Sequence, residues 1–311
     1  MKDKILNNHH LFIVLSVIRA NSIYFLNKIS NYKIEKIRFY RQLGYHLNLK
    51  NPKSISEKIV WKKIHDRNPL LPVTADKHHV RSYLQEVLGK EKTSEILIPL
   101  LHVTDKPETI PFEKLPSAFI VKPNHASRSR IVVIEERFNK NKIIKTCRRW
   151  LNTPYGLEKL EWAYQSIKRK IIIEKLLLDD DGNIPQEFKF HMFYGKCKVV
   201  HVVFNSKIQS SVSAFDEKWQ FLSVETPHYL PQEPKIKKPK NYETMLSLAE
   251  KLSEPFDYVR VDLYNLNGKI YFGELTHYPG SGICNFEPIS FEFEFGSHWK
   301  IEKDYWKKIQ N

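Results

Sequence analysis

The spacing of apolar positions changes character along the chain. The first third has a helical period. Ser54 and Glu57 stand in capping-box spacing ahead of Ile59, Trp61 and Ile64, which predicts a helix starting there. A second helix is expected from Thr74, with Val80, Tyr83, Leu84, Val87 and Leu88 on its apolar stripe and Gly89 as its stop. Pro99 to Pro116 reads as a connector with a short edge element. Beyond it the period shortens. Residues 118–121 and 131–134 are strand-like with a polar loop between them, 139–168 read as helical and basic, and Ile171-Ile172-Ile173 is a buried strand. A hairpin is predicted from Phe188 to Phe204 around Gly195, and another from Tyr258 to Leu275 around Asn267-Gly268. Between them lie a proline-rich linker, 227–239, and a helix face of Tyr242, Met245, Leu246, Ala249 and Leu252. There is no internal repeat. The fold class is α+β, with antiparallel sheets and helices in blocks.

The densest chemistry lies in residues 258–282. Strand alternation puts Arg260 and Asp262 on one face and Val259, Val261 and Leu263 on the core face. Glu274 sits on the returning strand. Two carboxylates brought together suit a hard cation such as Mg²⁺, and an arginine beside them would neutralise developing negative charge. A strict two-residue turn at Asn267-Gly268 pairs Asp262 with Gly273, leaving Glu274 on the wrong face. A shared metal therefore requires an odd loop or a bulge. Without one, the pair is a solvated polar face. Pro279-Gly280-Ser281-Gly282 follows as a loop that exposes its backbone.

Elsewhere, Lys122 ends a buried strand next to the small, basic loop Asn124 to Arg130, placed to reach phosphate as a point charge. Lys77 is expected off the apolar stripe of the Thr74 helix. Glu174 ends one strand, and Glu187 and Lys189 share a face of another.

Composition narrows the partners. Fifty Lys and Arg against 35 Asp and Glu give +15 over 311 residues, which favours anionic partners without choosing among them. Cys147, Cys197 and Cys284 are too few and too widely spaced for a disulfide framework, which fits a reducing, cytoplasmic setting. Near the N-terminus, the apolar run Leu11–Ile18 is far short of the roughly 20 residues needed to cross a bilayer. With the basic residues that follow, it reads either as a helix docked on the protein's own core or as peripheral contact with an anionic membrane on its inner face.

Together these segments resemble the ATP-grasp superfamily, and more closely its TupA-like branch of teichuronopeptide and polysaccharide biosynthesis. The resemblance rests on Asn51-Pro52-Lys53 with Glu57, Lys58, Ile59 and Trp61; Asp66 to Pro69; Asp76-Lys77 with Val80-Arg81; Val121-Lys122 with Asn124-His125; Ile173-Glu174; Lys189-Phe190; Val259 to Tyr264; and Gly273 to Thr276 with Tyr278 to Gly282. It implies two antiparallel-sheet lobes clamping ATP, with an extra helical N-terminal region. The expected boundaries are a basic extension at 1–50, a helical substrate-side region at 51–116, a small lobe at 117–178 and a large lobe with the Mg²⁺ site at 179–311.

The implied activity is an ATP-dependent carboxylate–amine ligase working through an acyl phosphate, with ATP and Mg²⁺ as cofactors. The resemblance implies Lys77 and Lys122 on the ATP phosphates, and Asn124, Ser127 and Arg128 in the phosphate-covering loop. It implies Glu174 and Leu176 at the adenine hinge, Glu187 with Lys189 at the ribose side, and Asp262 and Glu274 on the metal. Arg260 would stabilise the tetrahedral intermediate. Arg128, Arg130, Tyr278, Gly280 and Ser281 would meet substrate. His277 is the candidate base for the amine. Two departures stand out: the loop lacks glycine, and Thr276 occupies a position that is often Asn. The expected partners are an acidic glycan or nucleotide sugar and an amine, with no nucleic acid. The alternatives are a phosphoryl or glycosyl transferase on the same scaffold and a non-catalytic module that binds acidic polymer.

Overall fold

The computed structural model describes residues 9–134, 138–204, 210–226, 230–231 and 236–308. Most of the proline-rich stretch 227–239 lies outside them. In chain order the elements are α1 (His9–Ile29), α2 (Lys33–Leu43), α3 (Ile55–His65), α4 (Leu70–Ala75), α5 (Val80–Leu88), α6 (Lys90–Ile96), β1 (Leu100–Thr104), β2 (Phe119–Pro123), β3 (Ile131–Val133), α7 (Lys140–Asn152), β4 (Ile171–Lys175), β5 (Gln186–Phe193), β6 (Lys196–Phe204), β7 (Ser211–Phe215), β8 (Phe221–Leu222), β9 (Leu230–Pro231), α8 (Tyr242–Ser253), β10 (Tyr258–Leu266), β11 (Lys269–Thr276) and α9 (Ser290–Ser297). They form two compact units interleaved in sequence. The first takes residues up to 37, 76–79 and 98–176; the second takes 38–75, 80–97 and 177 onward.

The first unit holds an antiparallel sheet in the order β1-β4-β2-β3. Alternation along β2 and β4 sends Phe119, Val121, Ile171 and Ile173 to one face, where they pack with Ile143 and Cys147 of α7. Lys122 and Glu174 sit on the opposite face. The helical pattern expected to run to 168 stops at Asn152, because Pro154 disfavours helix at the residue before it.

The second unit holds the larger sheet, ordered β11-β10-β5-β6-β7-β8, with β9 parallel to β7. Its apolar face carries Val261, Phe190 and Val200 in one row and Leu263, Phe188 and Val202 in the next. That face packs on α8, whose Tyr242, Met245, Ala249 and Leu252 are buried. Both predicted hairpins close with two left-handed residues, Tyr194-Gly195 and Asn267-Gly268, as a type I′ turn requires. Helix α3 starts at the predicted capping box: the Ser54 hydroxyl accepts from the Glu57 N–H while the Glu57 carboxylate accepts from the Ser54 N–H.

Two further expectations are corrected. No helix starts at Thr74; α4 ends at Ala75, and Lys77 lies in the turn before α5. The N-terminal apolar run is not eight residues. Arg19 and Asn21 do not interrupt it, and Leu11–Ile29 is one helical stretch long and apolar enough, by length and composition, to cross a membrane. A helix tolerates single polar residues that its backbone hydrogen bonds pass over.

Candidate active site

The β10–β11 hairpin resolves the register question. The turn is two residues long, with Leu266 opposite Lys269, and the register then shifts between Leu263 and Asp262. Gly273 is the extra residue of this bulge, so Asp262 pairs with Glu274 and both carboxylates share a face. Only glycine fits there: a Cβ at Gly273 would stand 2.9 Å from the Asp262 carbonyl oxygen.

Arg260, one pleat along, ties this face together. Its Nε and one terminal nitrogen donate to the two Asp262 oxygens at 2.7 and 2.6 Å. The same terminal nitrogen donates to the Thr276 hydroxyl at 3.1 Å, and that hydroxyl donates to Glu274 at 2.8 Å. Thr276 thus orients the second carboxylate. Strand β5 adds Lys189 opposite Asp262 and Glu187 opposite Tyr264, with the Lys189 and Glu187 side chains 3.2 Å apart. Burial pushes the Asp262 carboxyl up to about 6, against the pull of Arg260 and Lys189. Burial alone would lower the Arg260 guanidinium, but Asp262, with Glu274 and Glu187, holds it above its ordinary value. Among the described residues no group of three or more Asp, Glu, His or Cys side chains is arranged to hold a metal ion. Two hard oxygen donors nevertheless fit Mg²⁺, which takes one or two carboxylates and completes its shell with phosphate oxygens and water. Asp262 is 1% exposed and Glu274 30%, so the pair opens at the Glu274 side.

Beside this cluster lie two histidines that sequence reasoning missed. His191 pairs with Arg260 across the strands, and His201 pairs with Lys189. His191 Nδ1 lies 2.9 Å from the Tyr258 hydroxyl, and its Nε2 lies 2.9 Å from His201 Nδ1. Burial, reinforced by Arg260 and Lys189, pushes His201 down to about 3, and burial with His201 and Arg260 also holds His191 well below its ordinary value, so both rings are neutral. Tyr258, His191 and His201 thus form one hydrogen-bonded chain, and His201 Nε2 at its end has no partner among the described residues. The sequence carried a weak signal, since two histidines on facing pleats of one hairpin meet only when the register is known.

His277, the expected base, is enclosed. It is fully buried, with Nε2 2.7 Å from the Thr74 hydroxyl and its ring against Phe256, and burial holds it neutral well below its ordinary value. A base for an incoming amine must reach the substrate. The following loop is pinned on its inner side. The Ser281 carbonyl accepts from Lys63 at 2.8 Å and from Arg38 at 3.1 Å, and a Cβ at Gly282 would collide with Val60. Tyr278 and Ser281 are buried while Gly280 is exposed, so of the three expected substrate contacts only Gly280 lies at the surface.

In the first unit, Lys122 pairs with Glu174 at 2.5 Å. Leu176, the other expected hinge residue, is buried just beyond β4. Lys77 donates to the Ala126 carbonyl at 3.0 Å, which ties it to the 124–130 loop. Asn124 is fully committed. Its amide donates to Asp76 and to the Lys168 carbonyl, and its oxygen accepts from the Lys170 N–H. Asn124, expected on the nucleotide, is thus tied to its own loop by all three of these hydrogen bonds. Ser127 is held by the Tyr155 hydroxyl at 2.6 Å, and Arg128 and Arg130 are exposed at the loop's tip.

Residues 57–300 match the family described as TupA-like ATP-grasp. The chain belongs to that family. Its fold is accordingly the α+β ATP-grasp fold, here with antiparallel sheets in both units. No curated protein matches the chain. Among solved structures it is similar to D-alanine–D-alanine ligase of Helicobacter pylori, at 16% identity over 79% of this chain and 69% of that one, with a TM-score of 0.44. It is also similar to D-alanine–D-alanine ligase of Bacillus anthracis complexed with ATP, at 16% identity over 66% and 55%, with a TM-score of 0.39. A third is the L-amino acid ligase of Bacillus licheniformis, at 16% identity over 68% and 42%, with a TM-score of 0.38. The chain spans little more than half the length of the Bacillus anthracis ligase.

Proposed function

We propose that this TupA-like ATP-grasp protein is an ATP-dependent carboxylate–amine ligase. The observation that carries the reading is the bulge at Gly273, which turns Asp262 and Glu274 onto one face beside Arg260. Asp262 and Glu274 would hold Mg²⁺, which when bound supplies positive charge to the nucleotide phosphates and leaves its remaining positions to their oxygens and water.

In the proposed reaction the substrate carboxylate attacks the γ-phosphorus of ATP, the bond to the β-phosphate oxygen breaks, and ADP departs. The amine nitrogen then attacks the acyl phosphate carbon. As the tetrahedral intermediate collapses, phosphate leaves and carries off the amine proton. Arg260, held in place by Asp262 and Thr276, is assigned to the oxygens that gain charge in the tetrahedral intermediate. Lys77 and Lys122 are assigned to the nucleotide phosphates, Glu174 and Leu176 to the adenine side, and Glu187 with Lys189 to the ribose side. The net charge of +15 and the exposed Arg128 and Arg130 favour an acidic acceptor, for which we propose a uronic-acid-containing surface glycan or its precursor, joined to an amino acid or amino sugar.

The test is release of ADP and phosphate from Mg·ATP across amines crossed with uronic acids and their nucleotide conjugates. Turnover that requires both partners is expected. Asp262→Asn and Glu274→Gln should each reduce kcat by about 10²–10³-fold. ADP formed together with a phosphorylated sugar, and no amide, would replace the ligase by a phosphotransferase.

A further inference from the structure

Helix α1 is apolar on two opposite sides. One stripe faces the body of the first unit: Phe12, Ile13, Ser16, Ala20, Ile23, Tyr24 and Asn27 are buried or half-buried, and α1 packs against α7. Those positions recur every three to four residues, which is the ordinary signature of a docked helix. The opposite side should then be polar. Instead, Leu11, Val14, Leu15, Ile18, Phe25, Leu26 and Ile29 are all exposed, and Val14, Ile18, Phe25 and Ile29 are each more than half so. On a helical projection these seven fall within one continuous outward arc, interrupted only by Ser22. Polar side chains flank the arc: Arg19 lies on one side, with Asn21 and Lys28 on the other. A soluble domain seldom leaves so large an apolar strip in water.

We infer that this strip is a docking surface for an anionic lipid bilayer, with α1 lying in the headgroup region. Three observations select that occupant. The inner stripe is already packed on protein, so only one side is available to lipid. Arg19, at mid-helix, is tied to Glu158 at 2.7 Å in a solvent-exposed ion pair, which keeps that flank of the helix at the aqueous boundary and out of the bilayer core. The strip's C-terminal end runs into Lys28, Lys33 and Lys36 in a chain of net charge +15, which attracts an anionic surface and repels a second copy of itself. The inference is independent of the ligase reading, since it uses none of the residues of the carboxylate face.

Flotation of the full-length protein with vesicles tests it. Equal parts of phosphatidylglycerol and phosphatidylcholine should carry the protein to the top of the gradient, phosphatidylcholine alone should carry much less, and raised salt should release part of it. The triple variant Leu15→Glu, Ile18→Glu, Phe25→Glu should lose about tenfold or more of the binding with unchanged circular dichroism, because these side chains lie on the exposed side of α1. Phe25→Trp gives a second readout that does not depend on the triple variant folding: its emission should shift to the blue on anionic vesicles. Protein that stays in the soluble fraction with both vesicle types, or a triple variant that floats like the parent, would overturn the inference. So would a dimer in light scattering that the triple variant dissociates, which would seat a second copy on the strip.

Discussion

At the scale of single residues, Gly273 is the hinge of the carboxylate site. Any side chain there must displace the Asp262 backbone, 2.9 Å from where a Cβ would lie. Gly273→Ala should therefore cost about 1–3 kcal/mol of stability and part the two carboxylates. Isothermal titration with Mg·ADP should show affinity weakened by about tenfold or more, and an unchanged affinity would mean that the bulge does not serve the site. The buried histidines set the acid limit of the fold. His125, pushed down to about 4 by burial and the charge of Arg169, and His201, pushed down to about 3, stay neutral where the unfolded chain is protonated. Below about pH 6.5 the unfolded state binds protons that the folded state does not, so stability falls as the pH drops toward 4. Each ring contributes about 1.4 kcal/mol per pH unit inside that window. Urea unfolding between pH 7 and 4 should show this slope, and His201→Gln should remove one ring's share. The sequence placed Asp262 and Arg260 on one strand face without help from the structure. It had no means of showing that Asn124 is spent on its own loop or that His277 is sealed away, because burial is a property of the neighbours.

At the scale of elements, α3 departs furthest from its sequence. Lysines are ordinarily solvated, yet Lys58, Lys62 and Lys63 are all buried. Lys58 donates to the Gly296 carbonyl, at the C-terminal end of α9, and Lys63 to the Ser281 loop. Lys62 lies between Asp66 at 2.6 Å and Asp257 at 2.5 Å, and Asp257 also accepts from the Trp299 indole. Burial opposes the charge on Lys62, but the two carboxylates more than offset it and hold the ammonium well above its ordinary value. Lys62→Met should leave two buried carboxylates uncompensated and destabilise the protein by about 3–5 kcal/mol in chemical denaturation, far more than loss of a surface lysine. The capping box, both hairpins and the edge strand were legible because each rests on residues close in sequence. Lys62 was not, since its partner Asp257 lies 195 residues away.

At the scale of the whole molecule, the excess of positive charge governs association. With +15 on the chain, binding of any acidic acceptor should weaken as ionic strength rises. In turnover assays KM for that acceptor should climb between low and physiological salt while kcat changes little, and a KM indifferent to salt would argue for a neutral acceptor. The two units are not successive in sequence, because the turn 76–79 belongs to the first while the helices on either side of it belong to the second. Apolar periodicity reports which face of an element is buried and not against which other element, so this interleaving leaves no mark on a linear pattern.

The sequence alone determined the α+β class, the strand faces, both hairpins, the basic character and, through its motifs, the family. Each depends on local stereochemistry or on residue identity. Only the tertiary structure decided that the hairpin carries a bulge, that Thr276 bridges Arg260 to Glu274, that His277 is enclosed and that α1 keeps a second apolar face in the open. Those outcomes turn on which distant groups compete for the same space and the same hydrogen bonds, and that competition exists only once the chain has folded.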